Sequence, residues 1–403
     1  MKKRRNPEHL LTVLFLGILF SIGFVNLKAV IPTIKEKISS DTSYLSSGGT
    51  NLEEDYRLAF WNRRDWINSY GVTQKLLGRR IIGNVDFALA ENGVLDRSAR
   101  EEDVLPFAQE LGELKDRLDE QNIPLLYIQM PPREPAQDRN PEQLFQTRTY
   151  YGQINDAIKD KQITCLDEQE ILIGDGHPDL QDFYFKTDIH TTTKGEIWMT
   201  NKISEKLRQS FGIAIPQVIS ETDSNWKKHS HPFLGNFAQS IGEYYIGTDT
   251  FEEYLPSFST HLKVKDVWEN WEAEGSFEEV LMNNYDKLAD DETYTYWITN
   301  YLRYGQGGYH IENSSSDGPR LLFICDSLCY RTLSYLSLGC SRITILDPRF
   351  YPENADDPVE KVLSESSYDA VIYLHGTFFT TDYSMFGRGA FSQSEEASGM
   401  PGK

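Results

Sequence analysis

The chain alternates between short apolar runs and longer segments with the spacing of amphipathic helices. Apolar side chains recur at helical spacing in residues 101–121, 142–161 and 196–211. Short runs of apolar residues that predict buried strands occupy positions 123–130, 163–167, 321–325, 342–347 and 370–375. Buried strands that alternate with helices are typical of an α/β domain, with a mainly parallel sheet covered by helices on both faces.

Two parts of the chain do not follow this alternation. Residues 55–80 are aromatic and basic, and they predict one or two helices that pack on the domain with snorkelling arginines, although a ligand surface is the alternative. Residues 212–316 are rich in Tyr, Trp, Asp and Glu without a clear pattern. Because this segment is too long for an ordinary loop, we expect it to be an insertion with structure of its own.

An uncharged run extends from Leu10 to Leu27 near the N-terminus. As a helix it would be about 27 Å long, close to the roughly 30 Å of a bilayer core. The basic residues at positions 2–5 predict that the N-terminus stays in the cytoplasm and that the rest of the chain lies outside. A signal peptide cleaved after Ser21-Ile22-Gly23 is the alternative, and it exports the domain equally well.

These patterns predict five parts along the chain. They are a cytoplasmic tail (1–9), a transmembrane anchor (10–27), a Ser/Gly-rich linker (28–50), an α/β domain (51–390) and a disordered tail (391–403). The domain is therefore expected to be exported and tethered to the cell membrane by a single helix.

The charge and the cysteine content narrow the function further. The chain has 61 acidic and 40 basic residues, a net charge of -21, which repels nucleic acid. Nucleic-acid binding is therefore excluded. Four cysteines in a chain of this length do not form a disulfide framework, so we expect buried free thiols, with a single disulfide still open.

Two segments contain the residue types of acyl-transfer chemistry. Asp188 and His190 are two residues apart, and Ser327 follows a predicted strand and opens a helical pattern. A serine hydroxyl needs a base to become a nucleophile, and a histidine is an effective base when a carboxylate orients its second ring nitrogen. A serine at the carboxyl edge of a parallel sheet lies where such folds bind ligands, beside free N–H groups that can stabilise an oxyanion.

Other residues are weaker candidates. Arg349 follows a strand and either stabilises an oxyanion, binds a sugar or forms a structural salt bridge. His375 ends a strand, where a structural role is favoured. His229 and His231 form an H-x-H pair, but without further ligands at a recognisable spacing they do not predict a metal site. Four tyrosines of the predicted insertion either stack on sugar rings or pack in the core: Tyr244, Tyr245, Tyr301 and Tyr304.

Six segments form a series along the chain. They are LAENGVLD (89–96), LLYIQMPPRE (125–134), FYFKTDIHTTTKG (183–195), residues 233–258, LLFICDSL (321–328) and ILDPRFY (345–351). In this order they resemble the exported SGNH-hydrolase-like proteins called the DHHW family and, more distantly, the periplasmic alginate O-acetyltransferases. The resemblance covers most of residues 51–380, and in these relatives Asp and His also precede Ser.

The resemblance implies an SGNH-like, mainly parallel sheet and an acyl-serine mechanism without a cofactor or metal. Ser327 would be the nucleophile, His190 the base and Asp188 its orienting partner, with Arg349 and Tyr304 as candidates for oxyanion or substrate binding. It also implies transfer of acetyl groups to an exported polysaccharide, beside a multi-pass membrane acyltransferase that supplies them.

The chain departs from the family pattern at three positions. Ile189 and Thr191 stand where the family name implies His and Trp, and Cys325 replaces the glycine before Asp-Ser. A glycine or asparagine oxyanion donor is not assignable from the sequence. Two alternatives to a transferase therefore stay open: an esterase or deacetylase with the same triad, and a catalytically silent glycan-binding or assembly protein.

Overall fold

The structure of the protein is a computed structural model. It describes residues 7–40, 56–57, 59–82, 87–90, 93–97, 105–131, 133, 154–156, 158–167, 182–216, 225–282, 302, 307–352, 355–376 and 383–390. The predicted cytoplasmic tail up to residue 6, residues 41–50 of the predicted linker and the predicted disordered tail (391–403) lie outside these residues.

An eight-stranded sheet forms the centre of the domain. Its strands are β4 Leu125–Gln129, β5 Thr164–Asp167, β8 Leu262–Asp266, β9 Glu272–Gly275, β10 Gly308–Asn313, β11 Arg320–Cys325, β12 Arg342–Leu346 and β13 Ala370–His375. They lie in the order β5-β4-β13-β11-β12-β10-β8-β9; the first five in this order run parallel to one another, and β10, β8 and β9 add an antiparallel edge. The five predicted buried strands are thereby confirmed.

Successive side chains of each strand point to opposite sides of the sheet, so the sheet has two apolar faces. Helices cover both of them. In β11, Leu321 and Phe323 belong to one apolar cluster, whereas Leu322 and Ile324 belong to the other. The helices of the fold are α1 Pro7–Ser40, α2 Arg63–Leu76, α3 Leu105–Glu120, α4 Thr193–Phe211, α5 Asn236–Ile241, α6 Glu243–Ile246, α7 Phe277–Leu281, α8 Tyr330–Leu336 and α9 Pro358–Glu365. Helix α4 packs on the first face, and α3 and α9 pack on the second.

The segment predicted as an insertion contributes directly to the main sheet. Its strands β8, β9 and β10 form the antiparallel edge, while β6 (Trp226–Phe233) and β7 (Asp249–Tyr254) form a separate two-stranded sheet. The remaining strands, β1 (Ile81–Ile82), β2 (Phe87–Leu89) and β3 (Leu95–Arg97), form a small antiparallel sheet before α3. The described part of residues 212–316 is thus structured, and it extends the domain's own core.

Helix α1 is long and apolar enough to cross a membrane, with a candidate span from His9 to Glu36. It continues to Ser40, so residues 28–40, which were predicted as part of a flexible linker, are helical instead. The sequence reasoning ended the helix at the first charged residue, Lys28, although a helix continues past a membrane boundary wherever its backbone bonds are retained.

The four cysteines are free thiols, as expected from the sequence, and the single disulfide that had been left open is not formed. Cys325, Cys329 and Cys340 are fully buried, and Cys165 is partly buried. Burial raises the pKa of the Cys325 thiol, which keeps it protonated and inert at neutral pH.

Candidate active site

The turn that contains Asp188 and His190 is closed by backbone hydrogen bonds. Phe185 N donates to His190 O at 3.2 Å, and Thr192 N donates to Phe183 O at 2.7 Å, around a single antiparallel bridge between Tyr184 and Thr191. Thr192 also caps α4, because its hydroxyl accepts the N–H of Gly195. The turn is therefore fixed to the start of a long helix.

The carboxylate of Asp188 binds the Nδ1 side of the His190 imidazole. Its Oδ1 accepts from His190 Nδ1 at 2.5 Å and from His190 N at 3.0 Å, and its Oδ2 accepts from Asn236 N at 2.8 Å. With Nδ1–H bound to the carboxylate, the proton-free nitrogen of the neutral ring is Nε2. The pair thus has the local geometry of a histidine base with its orienting carboxylate.

Asp188 stays ionised in this environment although it is almost fully buried. Burial by itself raises the pKa of the carboxyl, but the charge and hydrogen bond of His190 and the N–H groups of Asn236 and His190 outweigh it. The pKa of Asp188 consequently lies below its ordinary value.

Ser327 is the first residue of a short 3-10 turn, Ser327–Cys329, immediately beyond β11. Asp326 caps this turn, since its Oδ1 accepts the N–H of Leu328 at 2.9 Å. Ser327 is partly exposed although both of its neighbours are buried. The fold therefore places the serine at the carboxyl edge of the sheet with its side chain accessible, as the sequence predicted.

Arg349 reaches Ser327 from the end of the adjacent strand, β12. Its Nη2 donates to Ser327 Oγ at 3.0 Å, while its Nε and Nη2 donate to Asp347 at 2.9 and 2.6 Å. Tyr330 OH donates to the same carboxylate at 2.9 Å, and Asp347 is fully buried. The structural salt bridge, one of the readings of Arg349 from the sequence, is present, and it directs the guanidinium toward the serine.

A buried carboxylate joins the histidine turn to the serine helix. Glu196, in the first turn of α4, accepts hydrogen bonds from the hydroxyls of Thr191 and Thr332, which lie next to His190 and in α8 respectively. Arg331 adds two more bonds, from Nη2 to Thr193 Oγ1 at 2.5 Å and from Nη1 to Thr191 O at 3.3 Å. Arg331 and Thr193 are 138 residues apart in sequence. The bonds therefore hold the two candidate catalytic segments against each other.

The hydroxyl and the imidazole do not bond to each other directly in this conformation. Among the described residues, Ser327 Oγ has Arg349 as its side-chain partner, and His190 Nε2 makes no hydrogen bond. His190 is nevertheless close enough to Asp326 for its charge to oppose, in small part, the rise that burial causes in the pKa of that carboxyl. In unliganded sites such catalytic bonds are often long and form only with substrate bound.

Arg133 is a positioning residue that the sequence reasoning missed. It lies just beyond β4 and is fully buried, and its guanidinium donates to three carbonyls: Leu95 O, Ile189 O and Phe185 O, at 2.8 to 2.9 Å. It thereby supports the Asp188–His190 turn from the end of β4. Arg133 stands in the quoted segment LLYIQMPPRE, but only the three-dimensional path of the turn shows what it binds.

The other candidates have different outcomes. Tyr304 and Tyr301 lie outside the described residues, as do the side chains of His375, His229 and His231. Tyr245 is buried in the core and donates to Arg79 O, so core packing explains it, whereas Tyr244 is exposed. Within the part of the chain that the structure describes, there is no cluster of three or more metal-ligating side chains.

Gly235 is a glycine that this site requires. A Cβ at this position would lie 2.5 Å from Thr187 O and even closer to the side chain of Asp188. We expect Gly235→Ala to displace the turn and to lower the rate of ester cleavage by at least about tenfold, since small displacements of catalytic groups are costly. The rate with a p-nitrophenyl ester measures this effect. Gly112→Ala is the control, because its methyl meets only the flexible end of Lys161; equal losses in both variants would refute the prediction.

Asp326 gives the domain a pH-dependent stability. Burial, followed by the charge of Asp347, raises the pKa of its carboxyl to about 6, and its Oδ2 is buried without a hydrogen-bond partner. Because the folded-state pKa is the higher one, the group favours folding fully below an unfolded-state pKa of roughly 4, and this contribution is lost as the pH rises through about 6.

Asp326→Asn is therefore expected to be more stable than the wild type at pH 8, by up to about 3 kcal/mol, with a difference that shrinks toward pH 4. The amide oxygen can still accept the N–H of Leu328 and cap the turn. Urea unfolding at both pH values measures the effect, with the exposed Asp317→Asn as control. A difference that does not change with pH would contradict the buried, ionised carboxylate.

The fold is similar to two solved structures at low sequence identity. Bacillus cereus PatB1, which was also solved with a sulfonyl adduct, has a TM-score of 0.55 and 17% identity, over 72% of this chain and 93% of PatB1. A DHHW family protein from Eubacterium siraeum has a TM-score of 0.54 and 15% identity, over 77% of this chain and 99% of that protein. The DHHW resemblance seen in the sequence is thus accompanied by a shared fold.

The O-acetyltransferase domain of Pseudomonas putida AlgJ also matches, over 72% of this chain and 91% of that domain, but at 10% identity and a TM-score of 0.37. That likeness is too low to support an argument about function. No protein-family model and no curated protein sequence matches the chain.

Proposed function

We propose that the protein is an SGNH-like O-acyltransferase that moves an acyl group, specifically an acetyl group, onto a cell-surface or secreted polysaccharide. The observation that supports this proposal is the hydrogen bond from the guanidinium of Arg349 to the accessible Ser327 at the carboxyl edge of the sheet. The Asp188–His190 pair belongs to a turn that Glu196 links to the helix after Ser327.

In the first half of the proposed reaction, His190 Nε2 takes the proton of Ser327 Oγ as that oxygen attacks the carbonyl carbon of an acyl donor. The tetrahedral intermediate then collapses, the bond to the leaving group breaks, and His190 returns the proton to that group. The product is an acyl ester on Ser327. In the second half a sugar hydroxyl attacks the carbonyl carbon of the acyl-serine while His190 takes the proton of that hydroxyl. The bond between the acyl group and Ser327 Oγ then breaks, and His190 returns the proton to the serine oxygen.

Arg349 has two roles in this scheme. In the resting site its N–H donates to Ser327 Oγ at 3.0 Å, so the hydroxyl proton is left available for the histidine. During the reaction the same cation stabilises the negative charge that develops on the carbonyl oxygen. The pairing with Asp347 raises the pKa of Arg349 further, so the cation persists at any physiological pH.

The comparisons support this proposal in one specific respect. PatB1, which has the same fold as this chain, was solved with a sulfonyl adduct. Sulfonylating reagents label activated nucleophiles, and a Ser327 activated by His190 is a nucleophile of that kind. A phenylmethanesulfonyl reagent is therefore a suitable active-site probe for this chain as well.

We propose further that α1 anchors the protein in the cell membrane, with the domain outside. The uncharged run, the preceding basic residues and the length of α1 support this placement. An anchored transferase needs an acyl donor on the outer side of the membrane, and a multi-pass membrane acyltransferase is the partner proposed for that supply.

A competition between acceptors tests the transferase proposal against its esterase alternative. The full chain in detergent is given a p-nitrophenyl acetate donor with and without a mixture of oligosaccharides, and acetylated sugar and free acetate are both measured. A transferase produces acetylated sugar at the expense of acetate. If only acetate forms with every acceptor, the same triad serves an esterase, and the transferase proposal fails.

Two observations favour a catalytically silent glycan-binding protein as second candidate. Ser327 Oγ is bonded to Arg349 and not to His190 in this conformation, and Cys325 replaces the usual glycine before Asp-Ser. For a silent protein, Ser327→Ala leaves the cellular phenotype unchanged. Loss of polysaccharide acetylation in cells with Ser327→Ala would exclude this candidate.

A further inference from the structure

Helix α2 is amphipathic in the reverse sense of an ordinary surface helix. Its buried residues are Asn68, Gly71 and Gln74, whereas Trp66 and Tyr70 are exposed. A helix on the surface of a globular protein normally turns its apolar side chains toward the core. This reversal requires an explanation, because it places large apolar side chains in water.

The buried side of α2 is held by polar contacts and by close backbone packing. Asn68 Oδ1 accepts from Glu243 N at 3.0 Å, and its Nδ2 donates to Glu243 Oε1 at 3.1 Å. Gly71 lies so close to Ile241 O that a Cβ would collide with it. These contacts fix the rotation of α2 about its axis, so the exposed aromatic residues do not result from a loosely placed helix.

The opposite side of the helix carries several large apolar side chains, with Thr73 among them. Trp66, Tyr70, Thr73 and Leu77 follow one another at helical spacing, and Leu76 lies beside them. The exposed fraction is 82% for Leu76 and 61% for Leu77. We call the side formed by Trp66, Tyr70, Leu76 and Leu77 the α2 apolar face.

Exposed apolar residues are concentrated in this part of the domain. Among the described residues outside α1, large hydrophobic side chains are exposed at Tyr56, Trp61, Trp66, Tyr70, Val72, Leu76, Leu77 and Ile81, and elsewhere only at Leu105, Tyr244 and Phe258. Such a patch marks an interaction surface rather than the scattered exposure that is normal for proteins.

The same segment is basic in a strongly acidic protein. Residues 56–81 contain six Lys and Arg residues and a single acidic residue, Asp65, whereas the whole chain has a net charge of -21. Tryptophan, tyrosine and basic residues are enriched where a protein meets the headgroups of a bilayer, and basic residues are attracted by anionic lipids.

Helix α2 begins beside the outer end of the proposed membrane anchor. Trp61 N donates to Asn26 Oδ1 at 2.6 Å, and Asn26 is buried, one residue before the end of the uncharged run at Leu27. Trp61 also borders a crevice along α1 with Ile22 and Val25. The start of α2 is therefore at the level where α1 would leave the hydrocarbon core.

We infer that α2 is an interfacial helix, with the α2 apolar face in the outer leaflet of the phospholipid bilayer and its basic residues among the headgroups. The occupant of this surface is thus a lipid surface and not a second protein. The inference rests on the proposed anchoring by α1, and it adds a second membrane contact that restricts how the domain is oriented above the bilayer.

Fluorescence quenching in nanodiscs tests this inference on the full chain. In a Cys165→Ser background, an environment-sensitive fluorophore is attached to Leu76→Cys, Leu77→Cys, Ser21→Cys or Ser364→Cys, one at a time. The other three cysteines are buried and do not compete. Ser364 is exposed on α9, across the sheet from α2, and is the matched control. The nanodiscs contain phosphatidylcholine and phosphatidylglycerol, with or without lipids spin-labelled near the headgroup or near the chain end.

We expect quenching of about twofold or more at Leu76 and Leu77 by the headgroup-proximal label, and at Ser21 by the deeper label, with little at Ser364. If Ser21 is quenched while Leu76 and Leu77 behave like Ser364, the interfacial helix is refuted and the anchor stands. If no position is quenched, the anchor itself is wrong, and the inference falls with it.

Discussion

Replacement of Asp188 by Asn is expected to lower the rate of acyl transfer by on the order of 10⁴-fold while the domain remains folded. The carboxylate accepts the Nδ1–H of His190 at 2.5 Å and so leaves Nε2 free of its proton. An amide in its place can donate to Nδ1, and this stabilises the tautomer in which Nε2 carries the proton. A histidine in that tautomer cannot accept the proton of Ser327.

The measurement is kcat/KM for a p-nitrophenyl ester, with circular dichroism and the unfolding midpoint recorded on the same samples. Asp182→Asn is the matched control, because Asp182 is exposed and lies in the same loop. A loss of less than tenfold in Asp188→Asn, in a sample that is as well folded as the control, would show that the pair does not act as base and orienting group.

The second large effect is expected from Arg349→Lys. Lysine retains the charge but has no planar fork, so it cannot bind Asp347 and Ser327 Oγ together as Arg349 does. We expect a loss of about 10²- to 10³-fold in kcat, the usual effect of removing one oxyanion donor. The KM for a small ester should change much less, because the donor acts on charge that develops in the transition state.

Arg342→Lys provides the control for this experiment. Arg342 starts the strand that Arg349 follows, and it is likewise partly buried and paired, with Glu312 at 2.7 Å. It lies at the amino edge of the sheet, away from Ser327. Equal losses of kcat in the two variants would indicate that Arg349 acts through the stability of β12 and not on the reacting groups.

The parts of the fold that the sequence predicted are those with a strong local signal. Strands β11, β12 and β13 are continuous apolar runs because both faces of the sheet are covered. The antiparallel edge was harder to predict. In β8, Leu262, Val264 and the polar residues between them alternate as expected of a half-exposed strand, but five residues are too few to stand out in a polar segment.

The site divides in the same way. Asp188 and His190 are two residues apart in sequence, and Ser327 follows a clear strand, so these candidates could be identified without a structure. Glu196 and Arg331 were not, because a charged residue in a helix is ordinarily expected to face solvent, whereas both of these are buried. Their function depends on contacts between segments distant in sequence, and a single sequence contains no signal for such contacts.

The reversed polarity of α2 illustrates the opposite failure. The mixture of arginine and tryptophan in residues 55–80 predicted helices that pack on the domain, and α2 does pack on it, against α5 and α6. A helix that packs on a soluble domain usually has its apolar residues on the buried side. The glycine and the two polar side chains that are in fact buried, Gly71, Asn68 and Gln74, contain no signal for that role when read alone.

The central claim is that Ser327 forms an acyl-enzyme, and mass spectrometry tests it most directly. The full chain in detergent is incubated with p-nitrophenyl acetate, quenched in acid and digested. The account predicts an acetyl group on the peptide that contains Ser327, absent in Ser327→Ala and strongly reduced in His190→Ala. A folded wild-type sample that forms no adduct and cleaves no ester, or an adduct that persists in Ser327→Ala, would contradict it.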